Sequence, residues 1–342
     1  MQLAARRPVL SIVVPVYDEE GNVGPLHEEL TQVAGRIGRS YELIFVNDGS
    51  RDRTLQRLQG IAEDDPNVRV IDLDGNFGEA AALSAGFNTA RGEVVVTLDG
   101  DGQNDPCDIP ALLARLEAGC DAVSGRRRRR QQAFASRVLP SWVANRLIAL
   151  ATGVPVYDCG CGLKAYRREL VAGAQLPRGM NRFLPAILGV DPARVAEVET
   201  RDRPRGSGAS HYGLSRVAVV FRDLFALPLL VRRPPPGRGT AVALGAGAAG
   251  LVALALVAAA RGWLVTTVVL VAAAAVALGV RHDVIRFADA RQHGVFRVRR
   301  VLHGSAAPEN RHRGSRILGE EPAADLRSAL RRAGHDPLRS RS

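Results

Sequence analysis

Residues 97–106 read TLDGDGQNDP and follow directly on the apolar run EVVV, so Asp99, Asp101 and Asp105 fall within seven residues, spaced by glycines. Three uses compete for such a stretch: a polar turn, a calcium loop, or a site where a cation carries phosphates. An EF-hand loop starting at Asp99 needs Gly at its sixth position and Glu at its twelfth. The chain has Asn104 and Pro110 there, which excludes that use. A turn accounts for the glycines and for Asn104-Asp105-Pro106, but not for two carboxylates set where they repel each other. A Mg²⁺ or Mn²⁺ ion would account for them, because a hard cation takes one or two protein carboxylates and fills its other positions with phosphate and water. Asp-x-Asp alone is common, so the choice depends on the elements that hold it.

Those elements alternate. VLSIVVPVY, YELIFV, VRVIDL, EVVVTL and DAVSG are strand candidates, and helical patterns lie between them near 22–37, 52–63, 78–91 and 107–118. Short, nearly continuous apolar strands alternating with helices predict an α/β fold, a mostly parallel sheet with helices on both faces. In such sheets ligands bind beyond the carboxyl ends of the strands. Just past those ends stand Tyr17-Asp18-Glu19-Glu20, Asn47-Asp48-Gly49-Ser50, Asp72 and Asp74, Asp99 and Asp101, and the five arginines 126–130. Polar chemistry therefore gathers on one edge. Further on, the sequence predicts a helix near 134–151, a loop GVPVYDCGCGLKAYRRE, a helix around 183–188 and a strand VAEVET.

The bulk properties narrow the partners. Among 342 residues, 46 Lys and Arg outweigh 35 Asp and Glu to give a net charge of +11, which favours phosphate-rich partners. The arginine run lacks interleaved aromatics, which argues against nucleic acid. Cys107, Cys120, Cys159 and Cys161 are too irregularly spaced for a disulfide framework or a zinc site and read as reduced thiols. The apolar run 8–17 is cut short by Asp18, Glu19 and Glu20 and reads as a strand, not as a leader.

Residues 240–260 and 262–280 carry no charge and are separated only by Arg261. Each is long enough to cross a hydrocarbon core as a helix, so together they predict a transmembrane hairpin. Gly245-Ala-Gly247-Ala-Ala-Gly250 matches the spacing of a dinucleotide-binding turn, but it lacks the preceding strand and the following acid. Close packing of helices through small residues explains it better. Arg232, Arg233 and Arg238 precede the hairpin and Arg281, Arg286, Arg291 and Arg297 follow it. The positive-inside rule then places both ends, and the large N-terminal domain, in the cytoplasm. The expected organisation is a catalytic domain over 1–213, an amphipathic interfacial helix (214–231) and Pro-rich linker within 214–238, a hairpin over 239–281, and a basic tail over 282–342 that is disordered beyond about 303.

Several segments, in order, carry a family resemblance: VVPVYDEEGNV at 13–23, VNDGSRDRT at 46–54, GNFGEAAALSAGFNTARGEVVVTLDGDGQNDP at 75–106, DCGCGLKAYRRE at 158–169 and RPRGSGASHYG at 203–213. With the hairpin they cover about 280 residues. The chain resembles the family 2 glycosyltransferases, and within them the polyprenyl-phosphate sugar transferases similar to dolichyl-phosphate mannose synthase and bacterial undecaprenyl-phosphate glycosyltransferases. The resemblance implies a GT-A-type catalytic domain. Pro15, Tyr17 and Glu19 then match the part that holds the nucleotide base, though a strand end and helix cap would use the same residues. Asp48 matches a base- or ribose-binding carboxylate, and Asn-Asp-Gly-Ser is equally good turn chemistry.

Asp99 matches the carboxylate on the donor's ribose side, and Asp101 and Gln103 match the metal side. Gly100 and Gly102 stand where the family more often has Ala and Leu or Met, which implies a looser loop. The family's spacing picks Arg127 and Arg130 out of the arginine run, guanidinium forks being suited to diphosphate or lipid phosphate. Asp158 and Lys164 match a loop between the two halves of the site, where Asp158 either orients acceptor or sugar or is structural. Arg205, Ser210, His211 and Tyr212 match a motif placed where a lipid phosphate would arrive.

The implied reaction transfers a single hexose from a UDP- or GDP-linked donor to polyprenyl phosphate at the cytoplasmic leaflet of the cell membrane. It uses Mg²⁺ or Mn²⁺ and inverts the anomeric centre. A processive polysaccharide synthase would need a Gln-x-x-Arg-Trp-type motif and a larger membrane channel, neither of which the sequence holds. A catalytically inactive, membrane-tethered nucleotide-sugar binding protein is the other alternative, against which the intact Asp99 and Asp101 argue. The particular sugar, the nucleotide and homo-oligomerisation stay open at this point.

Overall fold

The structure, a computed structural model, describes residues 8–127, 154, 158–176, 179–203 and 238–304. Five strands stand where the apolar runs predict them: β1 (Leu10–Val16), β2 (Tyr41–Asn47), β3 (Val68–Leu73), β4 (Val94–Thr97) and β5 (Ala122–Arg127). Between them run α1 (Val23–Ile37), α2 (Thr54–Asp64), α3 (Glu79–Thr89) and α4 (Ile109–Glu117). β1 pairs in parallel with both β2 and β4, and β2 in parallel with β3. Their carboxyl ends therefore share one edge, as the alternation requires.

Burial on both faces explains why these strands read as unbroken apolar runs. Val13, Ile44, Ile71 and Val95 point into the core layer beneath α3. Their neighbours Ile12, Val14, Leu43, Phe45 and Val70 point into the layer that includes Leu26 and Leu30 of α1, Leu58 of α2 and Leu112 of α4. Helix α3 is rich in small residues and lies close on β1. A Cβ at Gly86 would stand 2.2 Å from Val13 Cγ1.

Three further strands complete an eight-stranded sheet of order β7-β5-β6-β4-β1-β2-β3-β8 among the described residues. The predicted VAEVET strand is β7 (Val195–Thr200), parallel to β5. The other two differ from the sequence reading. β6 (Lys164–Arg167) lies inside the stretch expected to be loop, and pairs antiparallel between β4 and β5. Its four residues are too few to show a periodicity. The arginine run also does not simply follow the last strand, since Arg126 and Arg127 are the final residues of β5.

The hairpin is present as α7 (Arg238–Ala260) and α8 (Leu264–His293), with α5 (Arg168–Val171) and α6 (Leu184–Ile187) earlier in the chain. The stretches Gly239–Ala260 and Leu264–Asp289 are long and apolar enough to cross a membrane. Gly245 serves the close packing expected of it, for a Cβ there would lie 3.1 Å from Arg281 Nε on α8. The second helix does not stop near 281. It continues to His293 and sends Val280, Val284 and Phe287 into the core layer that holds Ile71 and Leu73.

Beyond it, residues assigned to the tail form β8 (Val298–His303), antiparallel to β3. VRRVLH resembles tail sequence because its arginines are matched only by partners far away in the chain. Arg300 Nε donates to Asp72 Oδ2 at 3.1 Å, and Asn47 Nδ2 donates to Asp72 Oδ1 at 2.9 Å. Asp72 is fully buried. The expected helix at 134–151, the amphipathic segment at 214–231, the linker prolines 234–236 and the tail from 305 lie outside the described residues.

Asp72 faces two guanidiniums, Arg300 at 3.1 Å and Arg299 at 3.8 Å, and losing the nearer one from a buried carboxylate is costly. Arg300→Met should destabilise the protein by about 2 kcal/mol, tempered by the partial exposure of the arginine. Asp72→Asn added to Arg300→Met should recover part of that loss in thermal unfolding of the detergent-solubilised protein. Equal destabilisation of the single and double variants would show that the pair is not what fixes β8.

Candidate active site

The carboxyl edge is a set of loops tied to one another. After β1, Asp18 takes a positive φ of 53°, a strained setting for a residue with a Cβ. It is held there from the β2 loop: Asp18 N donates to Ser50 Oγ (3.0 Å), and Arg51 N donates to Asp18 Oδ1 (2.7 Å). Glu19 N donates to Thr54 Oγ1 (2.8 Å) and Glu20 N to Asp52 Oδ2 (3.1 Å). Glu19 also accepts a short hydrogen bond from Asn22 Nδ2. Pro15, Tyr17 and Glu19, each partly exposed, therefore stand at the end of β1 on a braced loop.

Asp48 is buried and turned into the protein. Its two oxygens accept from Phe77 N (2.7 Å) and Gly78 N (2.8 Å), the backbone just ahead of α3. A Cβ at Gly49 would lie 2.6 Å from the Gly75 carbonyl carbon, so only glycine lets the two loops meet. In this geometry Asp48 fixes the start of α3.

The opening stretch leaves β4 and crosses the end of β1. A Cβ on Gly100 would fall 2.6 Å from Val16 Cγ1 and 2.9 Å from Pro15 O. Glycine at 100 thus lets the loop press against β1, the opposite of the looser loop expected. Gly102, at φ 72°, does need a residue without a Cβ to avoid strain. Asp99 N donates to Asn104 Oδ1 (3.1 Å) and Gln103 N to Asp101 Oδ1 (3.1 Å). Asp105 caps the short turn that starts the next helix, accepting from Cys107 N (3.0 Å), and pairs with Arg203 (2.8 Å). Arg203 N donates to Gln103 O (2.9 Å), so residues 201–203 strap the carboxylate loop.

Across from this loop, β6 brings Gly162 against Asp99. A Cβ on Gly162 would stand 2.2 Å from Asp99 Oδ1. Burial pushes the Asp99 carboxyl up to about 8, reinforced by the negative charges of Glu79 and Asp101 and opposed by Lys164 and Arg127. Three carboxylates and two cations thus act on one point. Glu79 is the residue missed by sequence reasoning; its signal was a lone acid at the first position of a helix rich in alanine. Lys164, buried on β6, donates from Nζ to Cys159 O (3.2 Å).

Arg127 and Asp158 are brought together. The guanidinium grips the carboxylate with two hydrogen bonds of 2.8 Å, through Nε and Nη2. Burial opposes the arginine's charge, but the hydrogen bonds and attraction of Asp158 outweigh it and hold its pKa above the usual arginine value. Asp158 N in turn donates to Glu197 Oε1 on β7 (3.0 Å). Cys161, close by, is inert: burial, with Asp158 adding to it, pushes its thiol up to about 11. Arg130, Arg205, Ser210 and His211 lie outside the described residues.

Among the described residues, no three His, Cys, Asp or Glu side chains form a ready metal cage. Crowded carboxylates without a cage fit a hard divalent cation that takes one or two protein ligands and completes its shell from a diphosphate. Asp101 and Gln103, linked by the Gln103 N to Asp101 Oδ1 hydrogen bond, are the residues of this loop that could hold one.

Solved structures share this fold. The chain superposes with a TM-score of 0.52 on glucosyl-3-phosphoglycerate synthase from Mycobacterium tuberculosis in complex with Mn²⁺, UDP-glucose and phosphoglyceric acid, at 22% identity, over 68% of this chain and 82% of that one. A mycobacterial protein aligns with a TM-score of 0.51 at 25% identity, over 68% and 77%. These define the class: a GT-A glycosyltransferase sheet. The family model for glycosyl transferase family 2 matches residues 11–173. Dodecaprenyl-phosphate galacturonate synthase from Rhizobium johnstonii is 40% identical over 227 residues, 65% of this chain and 67% of that protein. Undecaprenyl-phosphate 4-deoxy-4-formamido-L-arabinose transferase from Shewanella sediminis is 38% identical over 216 residues, 63% and 65%. The chain belongs to glycosyltransferase family 2 and is a glycosyltransferase. It spans about two thirds of the length of these relatives.

Gly162→Ala would drive the Asp99 carboxylate aside while leaving the strands intact. We expect kcat/KM to fall about 100-fold, as small displacements of catalytic groups do, with little change in Tm. Unchanged turnover would mean that Asp99 is not held in its working position by β6.

Proposed function

We propose that the protein transfers a single hexose from a UDP- or GDP-sugar to polyprenyl phosphate at the cytoplasmic leaflet of the cell membrane, with Mg²⁺ or Mn²⁺ and with inversion at the anomeric carbon. The observation that carries the proposal is the loop after β4, where Asp99 packs against Gly162 and Asp101 follows, beside the Arg127–Asp158 pair, on a sheet whose edge strand follows two helices long and apolar enough to cross a membrane. The named activities of the relatives, both of which use polyprenyl phosphates, support the choice of acceptor. The solved complex with Mn²⁺ and UDP-glucose supports a metal-assisted donor.

In this reading Pro15, Tyr17 and Glu19 face the base, and Asp48 acts from beneath by fixing the loop before α3. Asp99 orients the donor on its ribose side. Asp101 and Gln103 hold the cation, which when bound offsets the charge of the nucleoside diphosphate. The acceptor needs no strong general base: a phosphate monoester has a second pKa near 6, so it arrives largely dianionic. Its oxygen bonds to the anomeric carbon from the face opposite the leaving group. The bond from that carbon to the diphosphate oxygen breaks, and the nucleoside diphosphate leaves.

Arg127, fixed by Asp158, holds a rigid positive charge toward the phosphates, and Arg130 adds a second. Arg205, Ser210 and His211 receive the lipid phosphate. Pre-set donors of this kind are effective because they do not reorganise as charge moves. The basic flanks of the hairpin support a cytoplasmic setting for this chemistry.

The purified full-length protein with Mn²⁺ or Mg²⁺ and polyprenyl phosphate should form glycolipid from at least one of UDP-glucose, GDP-mannose and UDP-N-acetylglucosamine, read by mass spectrometry. Asp101→Ala should reduce that turnover at least about 100-fold. No glycolipid from any donor would end the proposal, and full activity of Asp101→Ala would remove the metal role.

A further inference from the structure

The chain leaving β7 turns along the carboxylate loop and fastens to it residue by residue. Thr200, the last residue of β7, lies opposite Arg127 in the β5–β7 register. Arg201 N donates to Asp108 Oδ2 at 2.7 Å, and its Nε to Asp108 Oδ1 at 3.3 Å. Asp202 forms an antiparallel bridge with Asn104, whose Oδ1 accepts from Asp99 N. Arg203 N donates to Gln103 O at 2.9 Å, and Gln103 Nε2 donates back to Arg203 O in a long bond of 3.5 Å. The Arg203 guanidinium then reaches in two directions, from Nη2 to Asp105 Oδ1 at 2.8 Å and from Nη1 to Glu29 Oε2 on α1 at 2.7 Å. Asp105 is buried, while Arg203 and Glu29 are partly exposed. Arg203 thus holds the loop on both sides of Asn104 and ties it to a helix outside the loop.

Resting on the glycosyltransferase reading above, we propose that Arg203, anchored by Glu29, is a positioning residue for the cation side of the site: it sets Gln103 and the turn from Asp101 to Asp105 so that a divalent cation arriving with a nucleoside diphosphate finds its protein ligands in place. A guanidinium has no lone pair to offer a metal, so its part is to orient and not to coordinate. Gln103 can give a hard cation only its Oε1. With Nε2 turned to Arg203 O, Oε1 is the end of the amide left for that use. Gly102, at φ 72°, gives the turn a freedom that residues with a Cβ lack, and so a need for restraint from outside. Asp101 supplies part of it by accepting from Gln103 N. Arg203 supplies the rest, because a planar guanidinium joined to two carboxylates cannot shift without loosening one of them.

The test is Mn²⁺ binding by the full-length, detergent-solubilised protein with saturating UDP or GDP, read by electron paramagnetic resonance, beside Tm for each variant. Groups that orient a metal ligand without touching the metal matter about 10- to 100-fold in affinity. Arg203→Met should therefore weaken Mn²⁺ binding at least about tenfold. Arg203→Lys, which keeps the charge but not the fork, should fall between it and the wild type. Glu29→Gln should act in the same direction by about threefold, as the loss of a partly exposed ion pair does. Arg39→Met is the control for general loosening: it breaks an exposed ion pair between the end of α1 and Glu117 of α4 and should leave Mn²⁺ binding unchanged. A merely structural role would lower the Tm of Arg203→Met with Mn²⁺ affinity as in the wild type, which would overturn the inference, as would an equal loss of affinity in Arg39→Met. Should Arg203→Met fail to fold, Arg203→Lys and Glu29→Gln carry the same comparison. If the wild type binds no Mn²⁺ with either nucleotide, the metal role falls and this inference with it. Wild-type binding that the Arg203 and Glu29 variants leave untouched sinks the inference alone.

Discussion

Asp99, Asp101 and Asp105 crowd the loop that leaves β4. Among the described residues, burial, Glu79 and Asp101 oppose the ionisation of Asp99, and Lys164 and Arg127 favour it. Such an arrangement costs stability and persists when a ligand with compensating charge completes it. Much of the surrounding architecture holds that crowding in place. Gly100 lets the carboxylate loop press on β1, Gly162 lets β6 approach Asp99, and residues 201–203 strap the loop from outside. Arg127 cannot swing in to neutralise Asp99 without abandoning its bidentate grip on Asp158.

The two apolar helices are also part of the sheet's packing. Helix α8 places Val280, Val284 and Phe287 in the same core layer as Ile71 and Leu73. The chain then forms β8 along β3, where Arg300 reaches Asp72 and Asp72 in turn accepts from Asn47. Asn47 is the residue before Asp48, so a continuous set of contacts runs from the apolar helices to the donor end of the sheet. That continuity sets the height and tilt of the carboxyl edge relative to the helices.

Much of this was legible in the sequence. The alternation of apolar runs and helical patterns located β1 to β5 and α1 to α4, because strands buried on both faces leave unbroken apolar runs. Placing ligands at the carboxyl ends pointed to Asp48, Asp99, Asp101 and the arginine run 126–130, and the family resemblance picked Arg127 and Arg130 out of that run. What escaped was tertiary in origin. β6 and β8 are short and carry charges that become acceptable only beside Asp121, Asp72 and Asp74. Glu79 looked like an ordinary helix start until Asn181 was brought to it. Arg127 and Asp158, 31 residues apart, gave no hint in sequence that each was the other's partner. Gly100 looked like a loosened loop, since sequence does not reveal that Pro15 and Val16 lie against it.

The central claim is that the protein supplies only part of a metal's coordination and the donor supplies the rest. Electron paramagnetic resonance of Mn²⁺ titrated into the purified protein tests it most directly, with and without saturating UDP or GDP. The account predicts weak Mn²⁺ binding to the protein alone and at least tenfold tighter binding once one of the nucleoside diphosphates is present, beyond what that nucleotide binds in free solution. Tight Mn²⁺ binding without nucleotide, or no enhancement by either one, would contradict it.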